Sequence, residues 1–72
     1  MTLLEFVCKW AKGDRTEESR LKGMLSGFFD RDPRTIRNWM CKTPNYVKWI
    51  LERIDKEWEE LGSINYAIFF KN

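Results

Sequence analysis

Apolar residues recur at helical spacing along most of the chain, and this pattern predicts four helices. Residues three or four positions apart fall on one face of an α-helix, and an apolar face packs against a core. The pattern predicts helices over about residues 3–12, 17–29, 33–41 and 44–61. After the last helix the apolar residues alternate instead, with Ile64, Tyr66, Ile68 and Phe70 on one side. This period of two predicts a β-strand over about residues 64–70. The predicted fold is therefore mainly α, a single four-helix domain over residues 1–72 with a C-terminal β-strand tail.

Capping residues support several of these helix boundaries. The pair Asp32-Pro33 predicts the start of the third helix, because the Asp side chain accepts from free N–H groups and proline suits the first helical position. Thr43-Pro44 repeats this pattern before the fourth helix, and Thr16 is the predicted N-cap of the second.

The third predicted helix has one apolar face and one basic face. At 100° per residue, Ile36, Trp39 and Met40 lie together on one side. The opposite side carries Arg34, Arg37, Asn38 and Cys41. The second predicted helix ends only a few residues earlier, so the two helices must cross at an angle.

The stretch from residue 25 to residue 41, LSGFFDRDPRTIRNWMC, resembles the helix-turn-helix of small prokaryotic and phage DNA-binding proteins of the Cro and repressor kind. The resemblance implies that Ser26 allows close contact between the two helices and that Ile36 and Trp39 anchor the core. Two positions depart from the family pattern. Asp30 stands where the family usually has glycine, although Asp adopts the left-handed conformation more readily than most residues. Arg31 stands where the family usually has an aliphatic residue of the core.

The resemblance implies that the third helix enters the major groove of double-stranded DNA and recognises its sequence. Arginine can bond guanine O6 and N7, and asparagine can bond adenine N6 and N7. The implied base contacts are Asp32, Arg34, Arg37, Asn38 and Cys41. The implied phosphate contacts are Arg31, Thr35, Lys42, Lys22 and Lys48. The implied role is transcriptional regulation, typical of a phage or mobile-element repressor.

The predicted strand suggests a homodimer. A lone strand cannot satisfy its backbone donors and acceptors, and pairing with the same strand of a second copy would do so. Such a dimer would place two recognition helices about 34 Å apart, one turn of DNA. The alternative is an extended tail whose aromatic side chains pack on its own domain. Trp49 points away from the apolar stripe of the fourth helix and is the best candidate for a protein contact, unless a loop or the tail covers it.

Glycine and serine share one face of the second predicted helix, at Ser19, Gly23 and Gly27. Each interior glycine costs about 1 kcal/mol relative to alanine. Either a DNA backbone or a partner helix approaches closely here, or the face is a neutral surface that tolerates glycine.

Charge and composition narrow the possible functions. The formal net charge is only +2, but residues 31–42 hold four basic side chains against one acidic, and residues 52–60 hold five acidic against two basic. A polyanion would bind the first segment and be repelled by the second. With no histidine and two cysteines, the sequence offers no zinc site and no catalytic constellation, so we expect neither an enzyme nor a cofactor or small-molecule substrate.

No segment of the sequence resembles a signal peptide or a membrane span, so we expect a cytoplasmic protein. The alternative function is a small protein-protein interaction module, such as a phage inhibitor or adaptor of a host protein built on a helix-turn-helix scaffold.

Overall fold

The computed structural model describes residues 1–70, with side chains through residue 69, and contains four α-helices as predicted. They are α1 (Leu3–Ala11), α2 (Arg15–Phe29), α3 (Pro33–Cys41) and α4 (Asn45–Leu61), followed by a short 3-10 helix (Tyr66–Phe70). The helix ends differ from the predicted ones by no more than two residues.

The core is built around α1, which packs against α2, α3 and α4. Leu3, Phe6 and Val7 of α1 have no exposed surface. Each of the other helices contributes one apolar face to the same cluster. The largest fully buried side chain, Trp58 of α4, contacts the rings of Phe6 and Trp10, with centroid distances of 5.3 Å in both cases.

The predicted C-terminal β-strand is wrong, and residues 1–70 contain no strand. Tyr66–Phe70 is a 3-10 helix, in which residues three apart lie on the same side. Tyr66 and Phe69 accordingly both contact the Trp58 ring, at centroid distances of 6.3 and 5.7 Å. The Asn65 side chain accepts from the Ala67 N–H at 3.1 Å, and the Asn65 carbonyl accepts from Trp58 Nε1 at 3.1 Å. These bonds begin the turn, which a count of alternating apolar residues could not reveal.

The homodimer through a C-terminal strand therefore loses its basis. Ile64, Tyr66 and Ile68 are half-buried against the core of their own chain. The Phe70 side chain lies outside the part of the structure that is described. The tail packs on its own domain through its aromatic residues, as the alternative interpretation expected, although it is helical and not extended.

Two predicted caps are also corrected. Asp14, not Thr16, caps α2, because its carboxylate accepts from the backbone N–H groups of Thr16 and Glu17 at 2.8 and 3.2 Å. Thr43 does not cap α4. Its hydroxyl accepts from the Leu3 N–H at 2.9 Å and donates to the Trp39 carbonyl at 2.5 Å, which links the start of α1 to the end of α3.

Candidate nucleic-acid interface

A three-residue turn joins α2 to α3 and fixes the position of the second helix. Asp30 takes the left-handed conformation, with φ 53°, at the position where the resembled family usually has glycine. The Ser26 hydroxyl donates to the Arg31 carbonyl at 2.5 Å, and the Arg31 N–H donates to the Ser26 carbonyl at 3.0 Å. Asp32 then caps α3 by accepting from the Arg34 N–H at 2.8 Å. Both ends of the turn are thus hydrogen-bonded, and Ser26 has a role that its small size alone did not indicate.

The departure at Arg31 does not open the core. The Arg31 side chain is exposed, whereas the family pattern has an aliphatic residue pointing inward at this position. The rings of Phe29 and Trp39 meet edge to face at 5.5 Å and join the ends of α2 and α3. Aromatic pairs in this geometry stabilise contacts beyond their buried area.

The two faces of α3 divide as the sequence pattern predicted. Ile36 is 1% exposed and Trp39 is 8% exposed, so both anchor the helix to the core. The four outward side chains are all exposed, namely Arg34, Arg37, Asn38 and Cys41. Their contact with bases stays a prediction.

The arginines around α3 are not neutralised by the rest of the described chain. Within residues 1–69, no carboxylate lies within 4.0 Å of the guanidinium groups of Arg31, Arg34 or Arg37. The same holds for Lys42, which follows the last turn of α3. Four cations in a row of twelve residues therefore face solvent without an ion-pair partner from this part of the chain.

A cleft between α2 and α3 brings two of the predicted contact residues together. It is lined by Ser19, Lys22, Gly23, Ser26, Pro33, Ile36 and Arg37. Lys22 and Arg37 are thus on the same surface, although Lys22 also pairs with Glu18 at 3.1 Å. Nothing within 4 Å would meet a Cβ at Gly23 or Gly27, so no described part of this chain requires glycine there.

Three predicted contact residues are less available than the arginines. Asp32 is exposed, but its carboxylate is used in the cap of α3. Thr35 is half-buried. Lys48 of α4 is half-buried, and its positive charge interacts with the carboxylate of Glu5 in α1. The pKa of Glu5 is lowered mainly by hydrogen bonds with Thr2, and the charge of Lys48 lowers it further.

The acidic helix α4 lies against α1 and not across α3. Lys9 of α1 donates to Asp55 at 2.8 Å and also pairs with Glu59. The rings of Trp39 of α3 and Tyr46 of α4 contact each other edge to face, with centroids 6.1 Å apart. The outward face of α3 therefore stays open.

Trp49 lies on the surface of α4, as its place in the sequence predicted. It is 75% exposed, so neither a loop nor the described part of the tail covers it. It borders an open groove that also contains Phe28, Ile50 and Ile68. Its role as a protein contact stays a prediction.

Other classes of site are not apparent in residues 1–70. No group of three or more His, Cys, Asp or Glu side chains there is placed to hold a metal ion. No helix in the same range has the length and apolar character needed to cross a membrane.

Comparisons with protein-family models, with curated proteins and with solved structures found no match to this chain.

Proposed function

We propose that this protein binds double-stranded DNA through the outward face of α3 and regulates transcription. The observation that carries the proposal is the set of four cations between residues 31 and 42 that have no carboxylate partner within residues 1–69. They lie on and beside a helix whose opposite face is anchored in the core.

Unpaired cations on a rigid helix suit a polyanionic partner. A cation held by an internal carboxylate would have to break that pair before it could bind a phosphate. Free arginines instead displace the counterions that surround DNA, and this release drives binding. The hydrogen-bonded turn from Ser26 to Arg34 holds α3 at a fixed angle to α2, so the cations reach the duplex as a unit.

The proposed division of roles follows the position of each side chain. Arg34, Arg37 and Asn38 face outward in the middle of α3 and would contact base edges in the major groove. Arg31 and Lys42 flank the helix and would contact phosphates. Lys22, which shares a cleft with Arg37, would reach the same backbone once it leaves Glu18.

The proposal also includes a cytoplasmic location, where DNA is accessible to a phage or bacterial regulator. Cys8 and Cys41 are both exposed free thiols. Reducing conditions would keep such thiols from forming disulfides.

Fluorescence anisotropy with a labelled random-sequence duplex tests the proposal at low and moderate salt. The double variant Arg31→Ala/Lys42→Ala, which removes the two proposed phosphate contacts beside α3, is compared with Arg15→Ala/Lys56→Ala, which also removes two exposed positive charges but none between residues 31 and 42. We expect the first variant to make the slope of log K against log salt less steep by about 0.9 for each lost phosphate contact. The control variant should leave the slope near the wild-type value.

Two results would contradict the proposal. One is the absence of binding by the wild type at low salt. The other is equal loss of binding in the two double variants, which would indicate attraction by net charge without a defined surface. Either result favours the alternative class, a protein that binds another protein.

Sequence recognition needs a separate measurement. Selection of duplexes from a random pool should enrich a defined site if α3 contacts bases. On that site, Asn38→Ala should relax the preference at one base pair by about 1–3 kcal/mol, whereas Lys42→Ala should weaken all duplexes alike. If the pool stays random after selection, the protein binds DNA without sequence preference.

A further inference from the structure

A row of four exposed side chains runs along α4 on a surface that the proposed DNA contact does not use. The row consists of Trp49, Arg53, Glu57 and Leu61, spaced by four residues. Side chains at this spacing are neighbours on the helix surface, each about 6 Å further along the helix and about 40° further around it, so the row is inclined to the helix axis. Trp49 is 75% exposed and Leu61 is 57% exposed, and the two charged residues between them are exposed as well. Two large apolar side chains therefore stand in water at the ends of one row.

The order of these four residues is complementary to itself when reversed. From Trp49 to Leu61 the row is apolar, positive, negative and apolar. Laid antiparallel on a second copy, Trp49 meets Leu61 and Arg53 meets Glu57, and each of these pairs occurs twice. A two-fold interface requires this kind of self-complementary surface.

The charges of the row are available for such pairing. Arg53 and Glu57 are four residues apart on one helix, yet they form no ion pair with each other or with another group in residues 1–69. The order of the two residues agrees with this, because a base that precedes an acid is the weaker arrangement on a helix. Both side chains can therefore pair across an interface.

A groove beside the row can receive the row of a second copy. The groove follows Trp49, Arg53 and Glu57 and includes the apolar side chains of Phe28 and Ile68. Phe28 is 36% exposed and would gain cover there. In the commonest class of helix packing, rows of residues four apart on two helices interdigitate and the helix axes cross at about 50°, which is the geometry expected of two inclined rows.

We propose that the protein forms a two-fold symmetric homodimer in which the row Trp49, Arg53, Glu57 and Leu61 of α4 packs antiparallel against the same row of a second copy. The observations favour a second copy over other partners, because it matches both charges and both apolar ends at once. A partner of uniform charge, such as DNA or an acidic peptide, would leave Arg53 or Glu57 unmatched. The interface is separate from α3 and does not depend on DNA binding.

Sedimentation equilibrium without DNA, over a concentration series, tests the dimer. The wild type should shift from the monomer mass of 8.8 kDa to twice that mass as its concentration rises. Arg53→Glu and Glu57→Arg each place like charges at both crossings, so each variant alone should dimerise at least about tenfold more weakly. Arg15→Glu makes the same change of charge as Arg53→Glu away from α4 and should dimerise like the wild type.

Mixing the two single variants provides the sharpest result. One variant carries glutamate at both charged positions of the row, and the other carries arginine at both. Each crossing in the mixed pair therefore joins an acid to a base, so a heterodimer should form although neither variant dimerises alone. The double variant Arg53→Glu/Glu57→Arg should also recover the dimer. Circular dichroism of each variant shows whether its helices are intact, and Trp49→Ala tests the apolar ends without a change of charge.

The proposal is overturned by any of three results. The wild type is monomeric at every concentration, the single variants dimerise as well as the wild type, or the mixture stays monomeric. A monomeric wild type would leave the row to a different protein. None of these results bears on the α3 variants, so failure of the dimer and failure of DNA binding are distinguishable.

Discussion

The helices α3 and α4 both bury one face in the same core, but their outward charges are used differently. Asp55 and Glu59 of α4 pair with Lys9 of α1, and Glu52 lies 3.8 Å from the amino terminus. On α3, Arg34 and Arg37 have no such partner within residues 1–69. Three acidic side chains of α4 thus connect it to α1 and the amino terminus, whereas Arg34 and Arg37 of α3 form no ion pair within the described fold. Charges that the fold does not use are available for a ligand.

The buried faces of α3 and α4 also differ, because α4 contributes more side chains to the core than α3 does. α4 supplies Trp58, which contacts α1 and the 3-10 helix and donates a hydrogen bond to the Asn65 carbonyl. The buried residues of α3 are Ile36 and Trp39. α4 therefore organises the packing of the C-terminal half, and α3 is anchored by a smaller face.

The largest expected effect comes from Trp58→Ala. Truncation of a buried tryptophan costs about 3–5 kcal/mol, and a domain of this size has only about 3–5 kcal/mol of stability from its core. We expect the variant to be largely unfolded at room temperature, with loss of the helical signal in circular dichroism. Trp58→Phe keeps an aromatic ring but loses the bond to Asn65 and should stay folded with a lower melting temperature. A folded Trp58→Ala protein with a wild-type melting temperature would refute the central place of this side chain.

A smaller loss is expected for Asp55→Ala. The Asp55 carboxylate is 16% exposed and accepts from Trp10 Nε1 at 2.9 Å as well as from Lys9 at 2.8 Å. Removal of a largely buried acceptor costs about 1–3 kcal/mol, which urea unfolding can measure. Asp55→Asn keeps an acceptor for Trp10 and should lose less. Equal stability of the wild type and both variants would mean that the charges of α4 contribute no more than those of α3.

Lys9 should make the stability depend on pH in the alkaline range. Hydrogen bonds to Asp55 and then Glu59 raise the pKa of Lys9 above its ordinary value of 10.5. Because the folded pKa is the higher one, the contribution of Lys9 is complete below pH 10.5 and is lost as pH rises through the raised pKa. Urea unfolding at neutral and at strongly alkaline pH should show a difference between the wild type and Lys9→Met that narrows with pH. A difference that is constant over this range would contradict the pairing.

The smallest effect on stability is expected for Arg34→Ala/Arg37→Ala. Exposed substitutions without a structural partner usually change the free energy of unfolding by no more than about 0.5 kcal/mol. The double variant should therefore melt close to the wild type while it loses affinity for DNA. A loss of stability comparable to that of Asp55→Ala would show that these arginines support the fold.

The bounds and the two faces of α3 were predictable from local signals in the sequence. For α3, the cap at Asp32, the proline at the first helical position and the apolar period all agree, and the predicted bounds are those of the structure. Local signals that agree with the global fold are the ones that sequence patterns report well. The division of α3 into two faces followed from the same signals.

Contacts between distant parts of the chain were not predictable. The pairing of Lys9 with Asp55 depends on how α1 crosses α4, and no local pattern encodes that angle. The alternating apolar residues of the tail predict a strand, but the buried ring of Trp58 and the hydrogen bond from the Ala67 N–H to the Asn65 side chain favour a 3-10 turn. Asn65 was a visible signal for that turn, since asparagine often begins one.

Nuclear magnetic resonance offers the most direct test of the central claim that α3 presents the DNA-binding surface. Amide resonances of the 15N-labelled protein would be followed during titration with a short duplex at low salt. If α3 contacts the duplex, the largest shifts should occur for residues 34–41 and the adjoining turn, including the amides of Arg34 and Arg37, with little change along residues 52–60 of α4. Shifts concentrated on α4, or no shift at saturating DNA, would contradict it.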